Sequence, residues 1–164
     1  MTVYELDTEK SVEYAKTWAF GRNPDFHTFD LLGGDCTNFV SQCIYAGGAV
    51  MNYTPDTGWY YLSATDRAAA WTGVEYFYRF MVNNTGAGPF GKETALRNAS
   101  AGDVIQLCME DGCYHSLFVV DIRDGVPYVA AHTNDAFDRP LYSYGYDEAR
   151  CIHIIGARKN SRPV

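Results

Sequence analysis

The sequence has few charged side chains and no run of basic residues. It contains 13 lysines and arginines against 20 aspartates and glutamates in 164 residues, so its formal net charge is −7. A general nucleic-acid binder needs a basic patch that neutralises phosphates, so we expect no nucleic-acid partner. No apolar run approaches the roughly 20 residues that span a bilayer, so we also expect no membrane insertion.

An export signal is also missing from the chain as given. The first 20 residues, MTVYELDTEKSVEYAKTWAF, are too polar for the apolar core of a signal peptide. A secreted or cell-wall-associated location would therefore require a segment preceding this sequence. The compartment and the oligomeric state are both left open.

Cysteines are few and odd in number. Five cysteines in a chain long enough to bury a real core argue against a disulfide framework, and at least one thiol is left over. Hydrophobic residues make up 47% of the chain and aromatic residues 15%, which excludes intrinsic disorder. The length predicts one domain over residues 1–164.

The first half of the chain has helical periodicity. Apolar spacing predicts helices over residues 7–20, from Asp35 or Cys36 to residue 46, and over residues 71–83. Residues 49–70 are rich in Tyr and Trp without a clear period, and we interpret them as an ordered loop.

After residue 100 the pattern becomes that of strands. Asp-Gly dipeptides at residues 111–112 and 124–125 separate apolar runs, which is the strongest short-range signal for hairpins. Helices followed by an antiparallel sheet define an α+β domain. The predicted strands are residues 104–109, 115–122, 126–133 and 151–157, with residues 141–146 as a candidate short one.

The densest chemical signal is the segment Gly33–Cys43, GGDCTNFVSQC. With Asp35 as the N-cap, Cys36 lies in the first helical turn, where the helix dipole and free N–H groups stabilise a thiolate. The negative charge of Asp35 opposes this, so a nearby cationic histidine is needed. The equally weighted alternative is that Cys36 is a small buried core residue like Cys43.

A histidine base is predicted at the start of the second strand of the sheet. A two-residue turn at 124–125 makes the numbers of paired residues sum to 249, which sets His115 opposite Asn134 and Leu117 opposite His132. Either Asn134 or His132 could then orient His115 from the same face. A slip of one residue would move both to the other face. Without Cys36, a satisfied histidine at a strand end would be the favoured interpretation of His115.

Together these motifs resemble a known family, over residues 4–158. The ordered set resembles the putative amidase domain family, which is similar to the NlpC/P60 group of papain-like cysteine peptidases and amidases. The matching pieces are GGDCTNFVSQCIYAGG at residues 33–48, Trp59, Ala70–Thr72, Ala101–Ile105, His115–Ser116 and Ala131–Asp135.

The resemblance implies an activity and a papain-like fold with N-terminal helices on an antiparallel sheet. It identifies Cys36 as the nucleophile and His115 as the base of a cysteine amidase or peptidase that forms a thioester, without metal or organic cofactor. The family pattern assigns the third polar position to His132, whereas the hairpin pairing favours Asn134. The implied substrate is a small peptide, with bacterial cell-wall peptides as the leading class.

Two other functions compete with this one. A structural metal site would draw on cysteines and histidines of the second half, but their spacing matches no familiar zinc motif. A non-catalytic module that binds carbohydrate or peptide would use an aromatic surface. The candidate metal ligands are Cys108, Cys113, His115, His132, Cys151 and His153, and the candidate aromatic surface is Tyr53, Trp59, Tyr60, Tyr61 and Tyr76.

Overall fold

The computed structural model describes residues 1–161 and has an α+β architecture, as predicted. The helices are α1 Thr8–Trp18, α2 Cys36–Ala46, α3 Ala69–Thr72 and α4 Val74–Asn83. The strands are β1 Thr2–Tyr4, β2 Tyr61–Ser63, β3 Asp66–Arg67, β4 Gly88–Thr94, β5 Val104–Met109, β6 Gly112–Arg123, β7 Val126–Ala131, β8 Ala136–Pro140 and β9 Glu148–Lys159.

An antiparallel sheet of seven strands forms the body of the molecule. Its order is β1-β9-β5-β6-β7-β8, and β4 also pairs with β9. The two Asp-Gly hairpins are confirmed, since β5 pairs with β6 and β6 pairs with β7. The strands β2 and β3 form a separate small hairpin. Within residues 1–161, no helix is both long and apolar enough to cross a membrane.

Each face of the sheet carries its own hydrophobic core. The helices pack on one face, where Phe39 of α2 meets Phe118 of β6 and Val104 of β5. The opposite face buries Leu117 of β6 and Leu107 of β5 in a second cluster. Because successive strand residues point to opposite faces, neighbouring residues of β6 belong to different cores.

The helical half agrees with prediction except around residues 49–83. The predicted helix over 71–83 is two helices, because Gly73 has extended backbone and its N–H ends α3 on Ala69 O. The predicted loop over 49–70 contains the β2–β3 hairpin and an isolated bridge between Asn52 and Trp59.

The sheet half agrees less well at its edges. The candidate strand over residues 141–146 is wrong, because Leu141–Ser143 is a short 3-10 helix. The edge strands β1, β4 and β8 were not predicted, since short edge segments carry weak alternation. The predicted single domain over residues 1–164 stays a prediction, and residues 162–164 lie outside the described part of the chain.

A bulge in the β6–β7 hairpin corrects the predicted pairing. Near the turn, Arg123 pairs with Val126 and Ile122 with Pro127, which matches the predicted sum of 249. The pairing then shifts between Val119 and Asp121, so that Phe118 pairs with Ala130 and the sum becomes 248. The one-residue slip therefore occurs, and strand alternation sets the two candidate histidines on opposite faces of the sheet.

The cysteines divide into one pair and three free thiols. Cys108 and Cys113 form a disulfide across the β5–β6 hairpin, which the odd cysteine count did not predict. Cys36, Cys43 and Cys151 are free and buried. The Cys108–Cys113 bridge is the one disulfide among the described residues.

Candidate active site

The nucleophile candidate Cys36 is the first residue of α2. Gly33 and Gly34 lead into the helix with φ of 96° and 106°, values that only glycine adopts without strain. Asp35 is the N-cap residue, as predicted, but its side chain makes no capping hydrogen bond. The carboxylate therefore leaves the first N–H groups of α2 to other acceptors.

The Cys36 thiol is largely shielded from solvent. Its side chain packs against the sheet, and the residue is 7% exposed. Burial raises the pKa of Cys36, while hydrogen bonds from the Ser116 backbone and from Thr37 oppose the shift. The resting protein therefore holds Cys36 as a thiol at neutral pH.

The base candidate His115 lies on β6, directly after a bulge. Leu107 pairs with His115 and Cys108 with Cys113, so Tyr114 is the extra residue. Bulges re-aim the side chains beside them and are common next to active sites. Burial lowers the pKa of His115 to about 4, with a smaller repulsion from Arg139. The imidazole is therefore neutral and able to accept a proton.

Two polar groups at this site have no hydrogen-bond partner among the described residues. Within residues 1–161 neither ring nitrogen of His115 has a hydrogen-bond partner. The Tyr144 ring lies 6.2 Å from it between centroids, and the buried Tyr144 hydroxyl has no partner among the described residues either. Sequence reasoning missed Tyr144, which stands in no recognised motif and reaches the site only through the fold.

Three of the four predicted site residues line one small pocket. Its volume is about 140 Å³, and Cys36, His115 and Asn134 all contribute to its wall. Thr133 and Asn134 have φ of 66° and 60°, so the turn after β7 is left-handed. Asn tolerates this conformation well. The remaining lining residues are Gly33, Gly34, Tyr114 and Thr133.

The fourth predicted residue, His132, does not join them. It is 1% exposed and faces the helices, where its ring stacks on Phe39. Its Nδ1 lies 2.6 Å from Asp35 Oδ2, and its Nε2 lies 2.8 Å from the carbonyl oxygen of Trp18. Both ring nitrogens therefore form hydrogen bonds with groups other than His115.

The polar side chains later in α2 are also engaged. Asn38 donates to the His27 carbonyl and to Asp35, and it accepts from the Trp71 indole. Gln42 accepts a hydrogen bond from the Tyr14 hydroxyl. These contacts give both side chains a structural role.

The residues that a metal site or an aromatic binding surface would need do not come together in the fold. Within residues 1–161, no group of three or more His, Cys, Asp or Glu side chains could hold a metal ion. Among the candidate aromatic residues, Trp59 is fully buried, whereas Tyr53 and Tyr76 are exposed. Tyr76 lines a separate cavity of about 730 Å³ at α4.

Comparison with known proteins shows the family. The model of the putative amidase domain family matches residues 5–155, so the chain belongs to this family. The chain is similar to "Uncharacterized protein YhbB" of Bacillus subtilis (strain 168), with 33% identity over 143 residues. That match covers 81% of this chain and 43% of the relative, so the chain spans less than half of the relative's length. No solved structure matches the chain.

Proposed function

We propose that this protein is a cysteine-nucleophile amide hydrolase of the papain-like, NlpC/P60-related kind. The observation that carries the proposal is the pocket where Cys36 at a helix N-terminus meets His115 and Asn134. A thiol, a neutral imidazole and a polar side chain around one cavity are the groups that nucleophilic acyl transfer needs. Membership of an amidase family supplies the bond type.

The proposed reaction passes through a thioester. His115 removes the Cys36 thiol proton as Sγ bonds to the carbonyl carbon, and the carbonyl π electrons move to oxygen. The oxyanion is held by the Cys36 backbone N–H. When the C–N bond breaks, the imidazolium of His115 protonates the leaving amine. Water then attacks the thioester, its proton passes through His115, and the sulfur regains it as the acid leaves.

The separate starting positions of the thiol and imidazole are compatible with this sequence. Catalytic hydrogen bonds are often loose without substrate and tighten when it binds. Asn134 is the proposed orienting residue for His115, because it shares the pocket while His132 does not. Here the hairpin prediction and the family pattern differ, and the geometry favours Asn134.

The proposed substrates are bacterial cell-wall peptides. The pocket at Cys36 is about 140 Å³ and admits only a small group beside the scissile carbonyl. Cell-wall peptides are rich in alanine, whose methyl side chain meets this limit. The net charge of −7 further favours substrates that do not depend on a basic surface.

A non-catalytic binding module of the same fold is the second candidate. It is favoured by one observation, namely that Cys36 and His115 are neutral and share no hydrogen bond within residues 1–161. Such a module would bind the same peptides without turnover.

Hydrolysis of cell-wall peptide fragments by purified wild-type, Cys36→Ala and Cys43→Ala proteins separates the two candidates. Cys43 is the matched control because it is a free, fully buried cysteine two turns along the same helix. We expect Cys36→Ala to abolish turnover and Cys43→Ala to retain it, with an acyl adduct on Cys36 seen by mass spectrometry. Full turnover by Cys36→Ala would refute the cysteine mechanism, and binding without turnover by all three proteins would favour the module.

A further inference from the structure

We propose that Asp35 and His132 form a charge-neutral buried pair that positions the N-terminus of α2 and cancels the charge beside Cys36. In this role His132 acts through Asp35 and is a positioning residue for the nucleophile, with no direct role toward His115. The catalytic meaning of the pair rests on the proposed function, whereas its effect on the Cys36 thiol does not.

The proton inventory of the pair follows from its hydrogen bonds. The carbonyl oxygen of Trp18 can only accept, so His132 Nε2 carries a proton. Asp35 Oδ2 is 2.6 Å from Nδ1, and a second proton must lie between these atoms. Whichever atom holds that proton, the sum of the charges on Asp35 and His132 is zero.

The surroundings of Asp35 favour the carboxylate–imidazolium form. Its Oδ1 accepts from the Phe29 N–H at 2.8 Å and from Asn38 Nδ2 at 2.9 Å. Arg22 Nε lies 3.7 Å from Oδ2. Two hydrogen-bond donors and a nearby guanidinium charge stabilise the negative form of this carboxyl group, which leaves the second proton on His132.

The turn that follows β7 contacts Asp35 through two of its residues. Besides the ring of His132, the hydroxyl of Thr133 accepts the Asp35 backbone N–H at 3.3 Å. Asn134, the next residue, lines the pocket of Cys36. Three consecutive residues therefore act beside the nucleophile. His132 sets the charge of the pair, Thr133 holds the Asp35 backbone, and Asn134 forms part of the pocket wall.

The pair resolves the electrostatic conflict in the sequence. An isolated Asp35 carboxylate would disfavour the thiolate of its neighbour Cys36. In the proposed pair, His132 supplies the positive charge that this argument calls for, and it is bound to Asp35 itself. The other charged groups facing the pair are Arg22 and the two carboxylates bonded to it, Asp30 and Asp135.

The test is the rate of Cys36 alkylation by iodoacetamide, which requires no substrate. The proteins are wild type, His132→Gln, Asp35→Asn and the double variant, with peptide mapping to identify the labelled cysteine. His132→Gln leaves the pair with a net charge of −1, so we expect alkylation at a given pH to slow about tenfold, equivalent to one pKa unit. Asp35→Asn releases one proton and keeps the pair neutral, so its rate stays near wild type.

The double variant decides between the possible roles. It is neutral again, so we expect it to restore most of the rate lost in His132→Gln. A merely structural role would make the double variant at least as defective as either single variant, and that result would overturn the proposal. In a turnover assay, a triad role for His132 would give a loss of kcat that Asp35→Asn does not rescue, which would also overturn it.

A spectroscopic measurement serves if His132→Gln does not fold. Imidazole ¹⁵N shifts of the wild type at neutral pH should show a proton on both ring nitrogens of His132, as its hydrogen bonds to Trp18 and Asp35 require. In Asp35→Asn only Nε2 should carry one. A wild-type His132 ring with only one protonated nitrogen would contradict the pair. Full turnover by Cys36→Ala would instead count against the proposed function and leave these charge measurements intact.

Discussion

The two faces of strand β6 differ in how their polar groups are hydrogen-bonded. On the helix-facing side, the Ser116 hydroxyl bonds to Thr37 at 3.0 Å and accepts from Gln106 at 3.1 Å. On the other side, the buried Tyr144 hydroxyl has no partner among the described residues, and the His115 ring makes no hydrogen bond within residues 1–161. Neighbouring residues of β6 therefore differ, because Ser116 is hydrogen-bonded to the protein and His115 is not.

The difference separates structural polar groups from candidates for chemistry. Folded proteins pair nearly all their buried polar groups, so an unpaired one calls for an explanation. The helix-facing network joins α2 to the sheet through the Thr37–Ser116 hydrogen bond. The His115 imidazole makes no hydrogen bond within residues 1–161, so its nitrogens are available for the proton transfer proposed above.

The largest expected effect is on turnover when His115 is removed. We expect His115→Ala to lower kcat by about 10²- to 10⁴-fold, because the general base is lost. Ser116→Ala, its neighbour on the other face, should keep kcat within a few-fold of wild type. Steady-state kinetics on the same peptide substrate measures both, and equal losses in the two variants would contradict the division between faces.

The next effect is on stability in acid. The folded-state pKa of His115 is about 4, whereas an unfolded histidine titrates near its ordinary value of 6.5. Between these values the unfolded state binds the additional proton, so stability falls as pH drops from 6.5 toward 4 and this loss ends below 4. The contribution reaches about 3 kcal/mol at most.

Urea unfolding at several pH values checks this linkage. His115→Gln should show a shallower loss of stability than the wild type between pH 6.5 and 4. The exposed residue His27 provides the matched control, because His27→Gln is the same substitution away from the site. Identical slopes in all three proteins would mean that His115 is not held neutral by burial.

A smaller effect is expected from breaking the helix-facing network. Ser116→Ala leaves Thr37 without its hydroxyl partner and removes one acceptor from Gln106, at a cost of about 1–3 kcal/mol. Chemical denaturation measures the change in the free energy of unfolding. A cost near zero would show that the network is replaceable by water.

The smallest expected effect belongs to Tyr144. Tyr144→Phe removes a buried hydroxyl that has no partner, so stability should stay within about 0.5 kcal/mol or rise slightly. Tyr142, which is exposed, is the control for substitution in the same segment. A marked fall in kcat for Tyr144→Phe alone would show that the hydroxyl pairs with His115 once substrate is bound.

Sequence reasoning predicted the nucleophile helix and the hairpins because their signals are local. The periodicity from Cys36 to Ile44 and the Asp-Gly turns depend on neighbouring residues only. It also brought Cys36, His115 and Asn134 forward as candidates, and they share a pocket. Their chemical roles stay predictions.

The face of His132 could not be predicted in the same way. The pairing near the turn at 124–125 was right, but the bulge between Val119 and Asp121 depends on packing across the sheet and has no turn dipeptide to mark it. Tyr144 was missed for a related reason, because only the closed sheet brings it beside His115. Long-range packing therefore decided what the sequence left open.

Because the three free thiols are unequally buried, thiol labelling can report whether a molecule is folded. Cys43 and Cys151 are fully buried, while Cys36 keeps 7% of its surface exposed. A brief pulse of thiol reagent should add at most one label to each native chain and three to each unfolded one. The mass spectrum of a pulsed sample therefore distinguishes native from unfolded molecules by the number of labels, without a substrate or an engineered cysteine.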